Sequence, residues 1–209
     1  MDAIHKARGL IRAWLTHVAR FINQFSGGRI SAAHITLFSV AAHVLVAWAL
    51  IESQLWLSAG LLAAFGLLDA VDGALARLQN KASELGIVLD ATADRIKETI
   101  VYAGIVVYLA GNYDPPVLIW AVLALGLSIT LSYIKAKGEA VIASSSPEEI
   151  DAQALNRFIG GDSLMQFDIR MAVLVAGFLL DAVLGATIVI GLGSLGSILS
   201  RYNELKRLL

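Results

Sequence analysis

The chain has 209 residues, of which 57% are hydrophobic and only 16% are charged, and its formal net charge is −1. Soluble domains are about 45–50% apolar and about 25% charged, so this composition indicates an integral membrane protein and excludes a water-exposed globule. The chain contains no cysteine, which excludes disulfides, thiolate catalysis and thiol-ligated zinc.

The first 29 residues predict an amphipathic helix that lies along the membrane surface. An apolar stripe recurs at helical spacing, with Lys6, Arg12 and Arg20 off the stripe, which is typical of an interfacial helix. The members of the stripe are Ile4, Ile11, Trp14, Leu15, Val18, Phe21, Ile22 and Phe25. A soluble helix packed on a domain is the alternative, but no soluble domain here is large enough to receive it. The stretch lacks the unbroken apolar core of a cleavable signal, so the first span is expected to direct insertion.

Six segments are long and apolar enough to cross a bilayer, which takes about 20 residues. They are 30–51, 55–78, 84–110, 116–138, 165–183 and 186–205. The last two are expected to form a tight hairpin. The sequence thus predicts an all-α integral membrane protein, with a juxtamembrane helix over 1–29 and a six-helix transmembrane domain over 30–209.

The basic residues near the span ends predict the orientation. The N-terminal arm, the loop after the second span, the loop after the fourth span and the C-terminal tail all carry Lys or Arg, whereas 52–54 and 111–116 carry neither. Because basic residues favour the cytoplasmic side, both termini are expected in the cytoplasm of a prokaryotic cell, with the chain in its cytoplasmic membrane. The polar loop 142–162 is then cytoplasmic. Its capping box at Ser146 predicts a short helix from about Pro147 to Phe158 that ends before Gly160–Gly161.

Four aspartates stand within this apolar background: Asp69 and Asp72 on the second span, and Asp90 and Asp94 on the third. An ionised carboxylate in a bilayer costs on the order of 2.5–3.5 kcal/mol by insertion scales, so the four need compensating charge. The i, i+3 and i, i+4 spacings place each pair on one helix face. The short turn around 78–83 predicts that the two spans are antiparallel neighbours whose aspartates face each other near the cytoplasmic surface.

Oxygen ligands without nearby histidine or cysteine favour a hard cation, Mg²⁺ or Mn²⁺. Carboxylates that converge near an arginine are typical of phosphoryl transfer, where metal ions and a cation neutralise phosphate oxygens. Gly73 and Gly86 clear the helix faces beside these carboxylates so that a ligand can approach the backbone, although small residues also serve plain helix packing.

The order and spacing of these residues are specific. The stretch is Asp69-x2-Asp72-Gly73-x2-Ala76-Arg77-x8-Gly86-x3-Asp90-x3-Asp94. It closely resembles the signature of the CDP-alcohol phosphotransferase family, and the layout of six spans behind an interfacial helix resembles that family as well.

The resemblance implies an enzyme of phospholipid biosynthesis that transfers the phosphoalcohol of a CDP-linked lipid, CDP-diacylglycerol or CDP-archaeol, to a second hydroxyl and releases CMP. It implies that Asp69, Asp72, Asp90 and Asp94 hold metal, with Asp94 either a ligand or the general base. The nucleotide site implied is Asp69, Gly73, Ala76, Arg77 and Gly86.

One departure concerns the start of the first span, where the family often has a Pro-Asn pair. Alanines stand at Ala32 and Ala33, which affects the site wall near this span but not the aspartate motif. His34 could replace a lost polar contact there, although an interfacial histidine without a role is the favoured interpretation.

The run LDATADRI, with Arg95 after the last aspartate, resembles the phosphatidylinositol-phosphate and archaetidylinositol-phosphate synthases. SYIKAKGEA resembles the same branch, with Gly138 in place of the usual alanine. Lys135, Arg170 and Arg201 fall within or at the ends of apolar helices at the cytoplasmic level, where three cations around one cavity would bind a phosphate. Each could instead extend to the lipid headgroups. The expected acceptor is inositol phosphate, with glycerol phosphate as the alternative.

Two other functional classes share part of this sequence pattern. An ion transporter also needs acids within the membrane, but its site is usually near the midplane between broken helices. A catalytically inactive homologue is the other, although all eight motif positions are present. Small residues at Gly104, Gly126 and Ser128 predict a homodimer through transmembrane contacts, and no nucleic-acid partner is expected.

Overall fold

The computed structural model describes residues 2–79, 81, 83–144, 158 and 164–208, and every regular element in these ranges is helical. A 3-10 turn, Pro115–Val117, leads into the fifth of the seven α-helices whose bounds these ranges give. The helices are α1 (Asp2–Phe25), α2 (Ala32–Ile51), α3 (Leu55–Leu78), α4 (Glu84–Asn112), α5 (Leu118–Ser144), α6 (Phe167–Leu179) and α7 (Val183–Leu208). The all-α prediction is therefore confirmed for this part of the chain.

Four of the described helices, α2, α3, α5 with its preceding turn, and α7, are long and apolar enough to cross a membrane, which fits a multi-pass membrane protein. α4 has 29 residues but carries a run of charged side chains in its first half. α6 has 13 residues where the sequence predicted a span over 165–183. At 1.5 Å per residue α6 is about 20 Å long, shorter than a hydrocarbon core of about 30 Å. The number of spans therefore stays a prediction.

The six helices after α1 form a ring, because each packs against the next in the order α2, α4, α5, α7, α6, α3 and back to α2. The expectation that α3 and α4 pack as neighbours is wrong: within the described residues α2 packs along both of them, and they are not packed against each other. The short loop joins their ends, but α2 fills the space behind. An open cleft with α2 as its floor is the result.

Small residues explain why α2 fits so closely against α4. A Cβ built on Gly104 would lie 2.8 Å from the Cα of Ala47, so only glycine allows this approach. Ser128 is also fully buried inside the protomer. Of the three small residues expected at a dimer interface, only Gly126 has open space around it. The argument for a dimer from Gly104 and Ser128 is therefore wrong, because both are used within the ring.

Local sequence signals set the helix ends. α1 ends where Gly27 and Gly28 adopt φ values of +58° and +75°, a region that favours glycine. At the start of α2 the backbone N–H of Ser31 donates to His34 Nδ1 at 3.2 Å, so His34 helps to cap this helix and its interpretation as a histidine without a role is wrong. The expected hairpin is present as a three-residue turn between Leu179 and Val183.

α1 packs on α3 through part of its apolar stripe. Leu15, Val18 and Ile22 lie against a buried cluster that includes Val71 and Leu75. The stripe's aromatic residues remain exposed: 52% for Trp14, 64% for Phe21 and 86% for Phe25. The predicted capping box at Ser146 and the helix from Pro147 lie outside the described residues, apart from Phe158, which is helical and buried.

Candidate functional site

Two polar residues of α2 support the aspartates of α3. Thr36 Oγ1 donates to Asp72 Oδ2 at 2.6 Å, and Ser39 Oγ donates to Asp69 Oδ1 at 2.9 Å. The two pairs match because α2 and α3 are antiparallel and each contributes side chains at i and i+3, which share a helix face. These hydrogen bonds hold both carboxylates at the floor of the cleft.

Lys97 of α4 joins the two sides of the cleft. Its Nζ lies 2.6 Å from Asp69 Oδ2 and 2.8 Å from Asp94 Oδ1, and its side chain is only 1% exposed. Lys97 and Asp94 are one turn apart on α4, whereas Asp69 is on α3. One buried ammonium therefore brings together two aspartates that the sequence predicted to converge.

The remaining aspartate of α4, Asp90, is exposed. Its carboxylate is close enough to repel the carboxylates of Asp69, Asp72 and Asp94. Within the described ranges no three acidic or histidine side chains converge closely enough to hold a metal ion. Four carboxylate groups at one cleft still fit a hard divalent cation in donor type. Two of the four carboxylates, those of Asp69 and Asp94, are paired with Lys97, and the sequence did not predict this pairing.

The predicted nucleotide residues other than Asp69 lie near the C-terminal end of α3 and the N-terminal end of α4, which the short loop joins. Gly73 has open space except for the guanidinium of Arg77, whose Nη1 would lie 3.6 Å from a Cβ there. Arg77 is exposed and Ala76 is half-buried. The N–H of Gly86 donates to Ser83 Oγ at 3.1 Å, which caps α4. Gly73 thus leaves the helix face beside Asp72 bare, while Gly86 belongs to a helix start.

A cavity of about 1050 Å³ opens between α4, α5 and α6, and all three predicted acceptor cations line it. Lys135, Arg170 and Arg201 reach it from α5, α6 and α7, and Asp94 faces it from α4. The same cavity is lined by Arg95, which the sequence indicated only as a marker of a family branch. One end of the aspartate motif therefore meets a chamber with four cationic side chains.

Arg170 is engaged by a buried carboxylate. Its Nε donates to Glu98 Oε1 at 3.0 Å and its Nη2 to Oε2 at 3.3 Å, and its Nη1 donates to the carbonyl of Met165 at 2.7 Å. Glu98 is 0% exposed and also contacts Arg95 Nη1 at 3.0 Å. Arg95 donates in turn to Ser132 of α5. This network joins α4, α5 and α6 at the wall of the cavity. Most hydrogen-bond donors of Arg170 are used within it, so Arg170 chiefly positions the wall.

Arg201 and Lys135 have more donors to spare. Arg201 is buried, and its Nη1 donates to the carbonyl of Phe158 at 2.9 Å, but its Nε has no hydrogen-bond partner. A buried N–H without a partner costs free energy, which favours a ligand at this position. Lys135 is half exposed, 3.9 Å from Glu139. Gly138 makes room for Phe158, since a Cβ there would overlap the ring.

Sequence reasoning missed several members of the site, and most had a signal. Thr36 and Ser39 repeat the i, i+3 spacing of the aspartates on an otherwise apolar span. Lys97 and Glu98 are charged residues inside a predicted span, which is costly unless they are paired. Phe167 had no signal; its ring centroid lies 5.1 Å from Arg95 and 5.8 Å from Lys97 and from Arg170.

The fold and the site define a membrane-embedded helical protein with an acidic cleft that opens beside a cation-lined chamber. The chain belongs to the CDP-alcohol phosphatidyltransferase family, whose sequence pattern matches residues 29–193.

Curated relatives agree with the branch indicated by the sequence. The chain is 43% identical over 108 residues to the phosphatidylinositol phosphate synthase of Mycolicibacterium smegmatis, a match that covers 51% of this chain and 49% of the relative. It is 41% identical over 101 residues to the archaetidylinositol phosphate synthase of Aeropyrum pernix, with 48% of each covered. The matched part is about half the length of these relatives.

Solved structures show the same fold. A crystal structure of Mycobacterium tuberculosis phosphatidylinositol phosphate synthase in complex with manganese and citrate superposes with a TM-score of 0.76 at 23% identity, and covers 93% of this chain and 90% of that one. The form of that protein with CDP-DAG bound gives a TM-score of 0.74 at the same identity, with 91% and 92% covered.

Proposed function

We propose that this protein transfers the phosphoalcohol group of a CDP-alcohol lipid to a hydroxyl of a phosphorylated polyol and releases CMP. The observation that carries the proposal is the meeting of the aspartate cleft with a chamber that Asp94, Lys135, Arg170 and Arg201 line together. The names of the relatives favour inositol phosphate as the acceptor, with glycerol phosphate as the alternative. CDP-diacylglycerol and CDP-archaeol both fit as donor.

The reaction needs one bond formed and one broken. The acceptor oxygen forms a bond to the phosphorus that carries the lipid alcohol, the anhydride bond to the cytidine phosphate breaks, and CMP leaves with the bridging oxygen. Asp94 would take the proton of the attacking hydroxyl, a role supported by its position in the lining of the chamber. A buried phosphate on the acceptor would be held by cations at the far wall, which orients the hydroxyl toward the cleft.

Asp69, Asp72, Asp90 and Asp94 are the residues that would hold a divalent cation, Mg²⁺ or Mn²⁺. A bound metal ion would neutralise diphosphate oxygens and stabilise the charge on departing CMP. Arg77 would share this task from the open end of α3, and the bare backbone at Gly73 and Ala76 lets the nucleotide approach. Gly86 lies across the cleft, at the start of α4.

The acceptor phosphate would lie nearest to Arg201, because its Nε lacks a partner. Lys135 adds a flexible charge at the rim, and Arg95 lies beside Asp94 in the same chamber. Arg170 contributes through its position and its charge, since most of its donors are already used by Glu98 and the carbonyl of Met165.

The test is CMP release by the purified protein in lipid nanodiscs, with CDP-diacylglycerol or CDP-archaeol and a panel of acceptors. Inositol phosphate should be the best acceptor, glycerol phosphate second, and free inositol and serine poor. Asp69→Asn and Asp90→Asn should abolish metal-dependent release but leave the protein folded, whereas Asp114→Asn on an exposed turn should be unchanged. Turnover by either site variant would overturn the assignment, and an ion transporter would release no CMP with any acceptor.

The chemistry also fits a particular placement in the membrane. We propose six spans, with α4 and α6 completing the ring, and with α1 lying in the cytoplasmic interface. The exposed Trp14, Phe21 and Phe25 would insert into the headgroup layer beside the cleft. The lipid tails of the donor would then stay in the bilayer of a prokaryotic cytoplasmic membrane while its CDP headgroup reaches the aspartates.

A homodimer with one site per protomer is the assembly we propose. α5 exposes apolar side chains beside Gly126, including Val122 and Ile129, which are 59% and 38% exposed. A face with a small residue among large ones suits close helix packing in membranes. Native mass measurement in mild detergent and in nanodiscs should give twice the chain mass; a monomer in both would exclude the dimer.

A further inference from the structure

Lys97 stands where a metal ion would be expected. Both carboxylates that it contacts belong to the aspartate motif, yet they are on different helices, and its Nζ lies within 2.8 Å of an oxygen of each. An ammonium at these distances forms charge-assisted hydrogen bonds, which are the strong ones. It thereby does what a bridging cation does: it holds Asp69 and Asp94 together across the cleft.

The oxygens that remain free define what else can bind. Asp69 uses both of its oxygens, one for Ser39 and one for Lys97. Asp94 has one oxygen engaged by Lys97, and its other lies 3.9 Å from Arg95. Asp72 accepts from Thr36 through Oδ2 and also interacts with the backbone N–H of Gly73, whereas Asp90 is exposed. The carboxylate oxygens most open to a metal ion therefore belong to Asp90 and, in part, to Asp72.

The surroundings of Lys97 keep it in place. The side chain is 1% exposed, and the ring of Phe167 on α6 lies 5.8 Å from its Nζ, a cation–π distance. A divalent cation that bridged Asp69 and Asp94 would share their oxygens with the ammonium and be repelled by it at short range. The ammonium would have to leave its two carboxylates before such a metal ion could enter.

We propose that Lys97 is a built-in cation of this site, which takes the place of a second divalent ion, so that the substrate-free protein binds one divalent cation and not two. Four carboxylates across two helices could otherwise hold a two-metal site of the kind found in phosphoryl-transfer enzymes. The inference rests on the proposed function, because it concerns the metal site of that reaction.

The test counts Mn²⁺ bound to the full chain in nanodiscs without nucleotide, by electron paramagnetic resonance of the free and bound ion. The wild type should bind one Mn²⁺ per chain with the six-line signal of an isolated ion. Lys97→Met keeps the length of the side chain but removes its charge. It should bind a second Mn²⁺ and show the broadened signal of a spin-coupled pair, or bind the first at least about tenfold more tightly. Lys137→Met, an exposed lysine on α5, should match the wild type.

Either of two outcomes would overturn this inference and leave the proposed function intact. One is two Mn²⁺ per chain in the wild type with metal-dependent CMP release intact, and the other is one Mn²⁺ of unchanged affinity in folded Lys97→Met. The wild-type count decides the question even where Lys97→Met does not fold. No Mn²⁺ binding together with no CMP release would instead overturn the proposed function.

Discussion

Lys97 and Glu98 show how adjacent residues on one helix serve two different sites. Consecutive helical residues point about 100° apart, so Lys97 faces the aspartate cleft while Glu98 faces Arg170 and Arg95 behind the chamber. Each is almost completely buried, and each is neutralised by partners on another helix. The cost of placing charge within the membrane is thus offset by pairing, and the pairs position the walls of both sites.

Asp94 is the residue whose role is tested most directly by substitution. Asp94→Asn should lose turnover by at least about a hundredfold, because an amide cannot accept the proton of the attacking hydroxyl. Binding of the CDP-alcohol with metal present should persist, as measured by equilibrium binding of a fluorescent CDP-lipid. Loss of nucleotide affinity as large as in Asp69→Asn would instead make Asp94 chiefly a metal ligand.

Arg170→Gln should lower the stability of the protein. Glu98 is 0% exposed and would lose its two-pronged partner, a change that costs on the order of 3 kcal/mol in buried pairs, although Arg95 would remain. The free energy of unfolding in mild detergent measures this loss. Lys135→Gln is the matched control, since its exposed pair with Glu139 at 3.9 Å should contribute less than about 0.5 kcal/mol. Equal stability of the two variants would contradict the network.

Arg201→Gln should act on the acceptor and not on the lipid donor. We expect the acceptor KM to rise by about tenfold or more, because a charge-assisted hydrogen bond to phosphate is lost. Affinity for the CDP-alcohol should stay unchanged. Arg207→Gln, on an exposed turn of the same helix, provides the control. A normal acceptor KM in Arg201→Gln would mean that this arginine does not bind the acceptor and serves only in its contact with the carbonyl of Phe158.

At the scale of elements, α2 is the helix that organises the site. Its Thr36 and Ser39 support the aspartates of α3, while Ala47 meets Gly104 of α4 at a distance that only glycine allows. Because α2 packs on both helices, it separates them into the two walls of a cleft. The gap between α3 and α4 leaves the carboxylates open to a ligand at the end of the bundle where the loop joins these two helices.

A pair of glycines tests the packing of these elements. Gly104→Ala should lower the free energy of unfolding by about 1–3 kcal/mol, because the new Cβ would press on the backbone of α2. Gly126→Ala on α5 has nothing within 4 Å and should be neutral or gain up to about 1 kcal/mol from helix propensity. Thermal unfolding of both variants in the same detergent makes the comparison. A stable Gly104→Ala would show that the two helices can separate without cost.

At the scale of the whole molecule, the absence of cysteine makes the orientation easy to test. Single cysteines at Glu52 and Lys81 would stand on exposed turns at opposite ends of α3. With a cytoplasmic N-terminus, an impermeant maleimide should label Glu52→Cys on intact cells and Lys81→Cys only after the cells are opened. The reverse labelling pattern would mean that the orientation is the opposite one, with the cleft at the outer surface of the membrane.

The aspartate motif and the helical class were determined by the sequence alone. Eight positions at fixed spacing need no tertiary information, and a run of about 20 apolar residues forms a helix in a bilayer because its backbone has no other partner. The grouping of Lys135, Arg170 and Arg201 at one cavity was predicted as well. Charged side chains at the same depth in a small helical bundle tend to face the same interior space.

Only the tertiary structure decided which helices are neighbours and which charges pair. A short loop joins α3 to α4, yet α2 packs against both, and its close approach to α4 depends on the fit of Gly104 against Ala47. The pairing of Arg170 with Glu98, 72 positions away in sequence, and of Lys97 with Asp69, 28 positions away, follows from this arrangement. Hydrogen bonds across such separations leave no periodic trace in the sequence, because each partner is chosen by the fold and not by its neighbours along the chain.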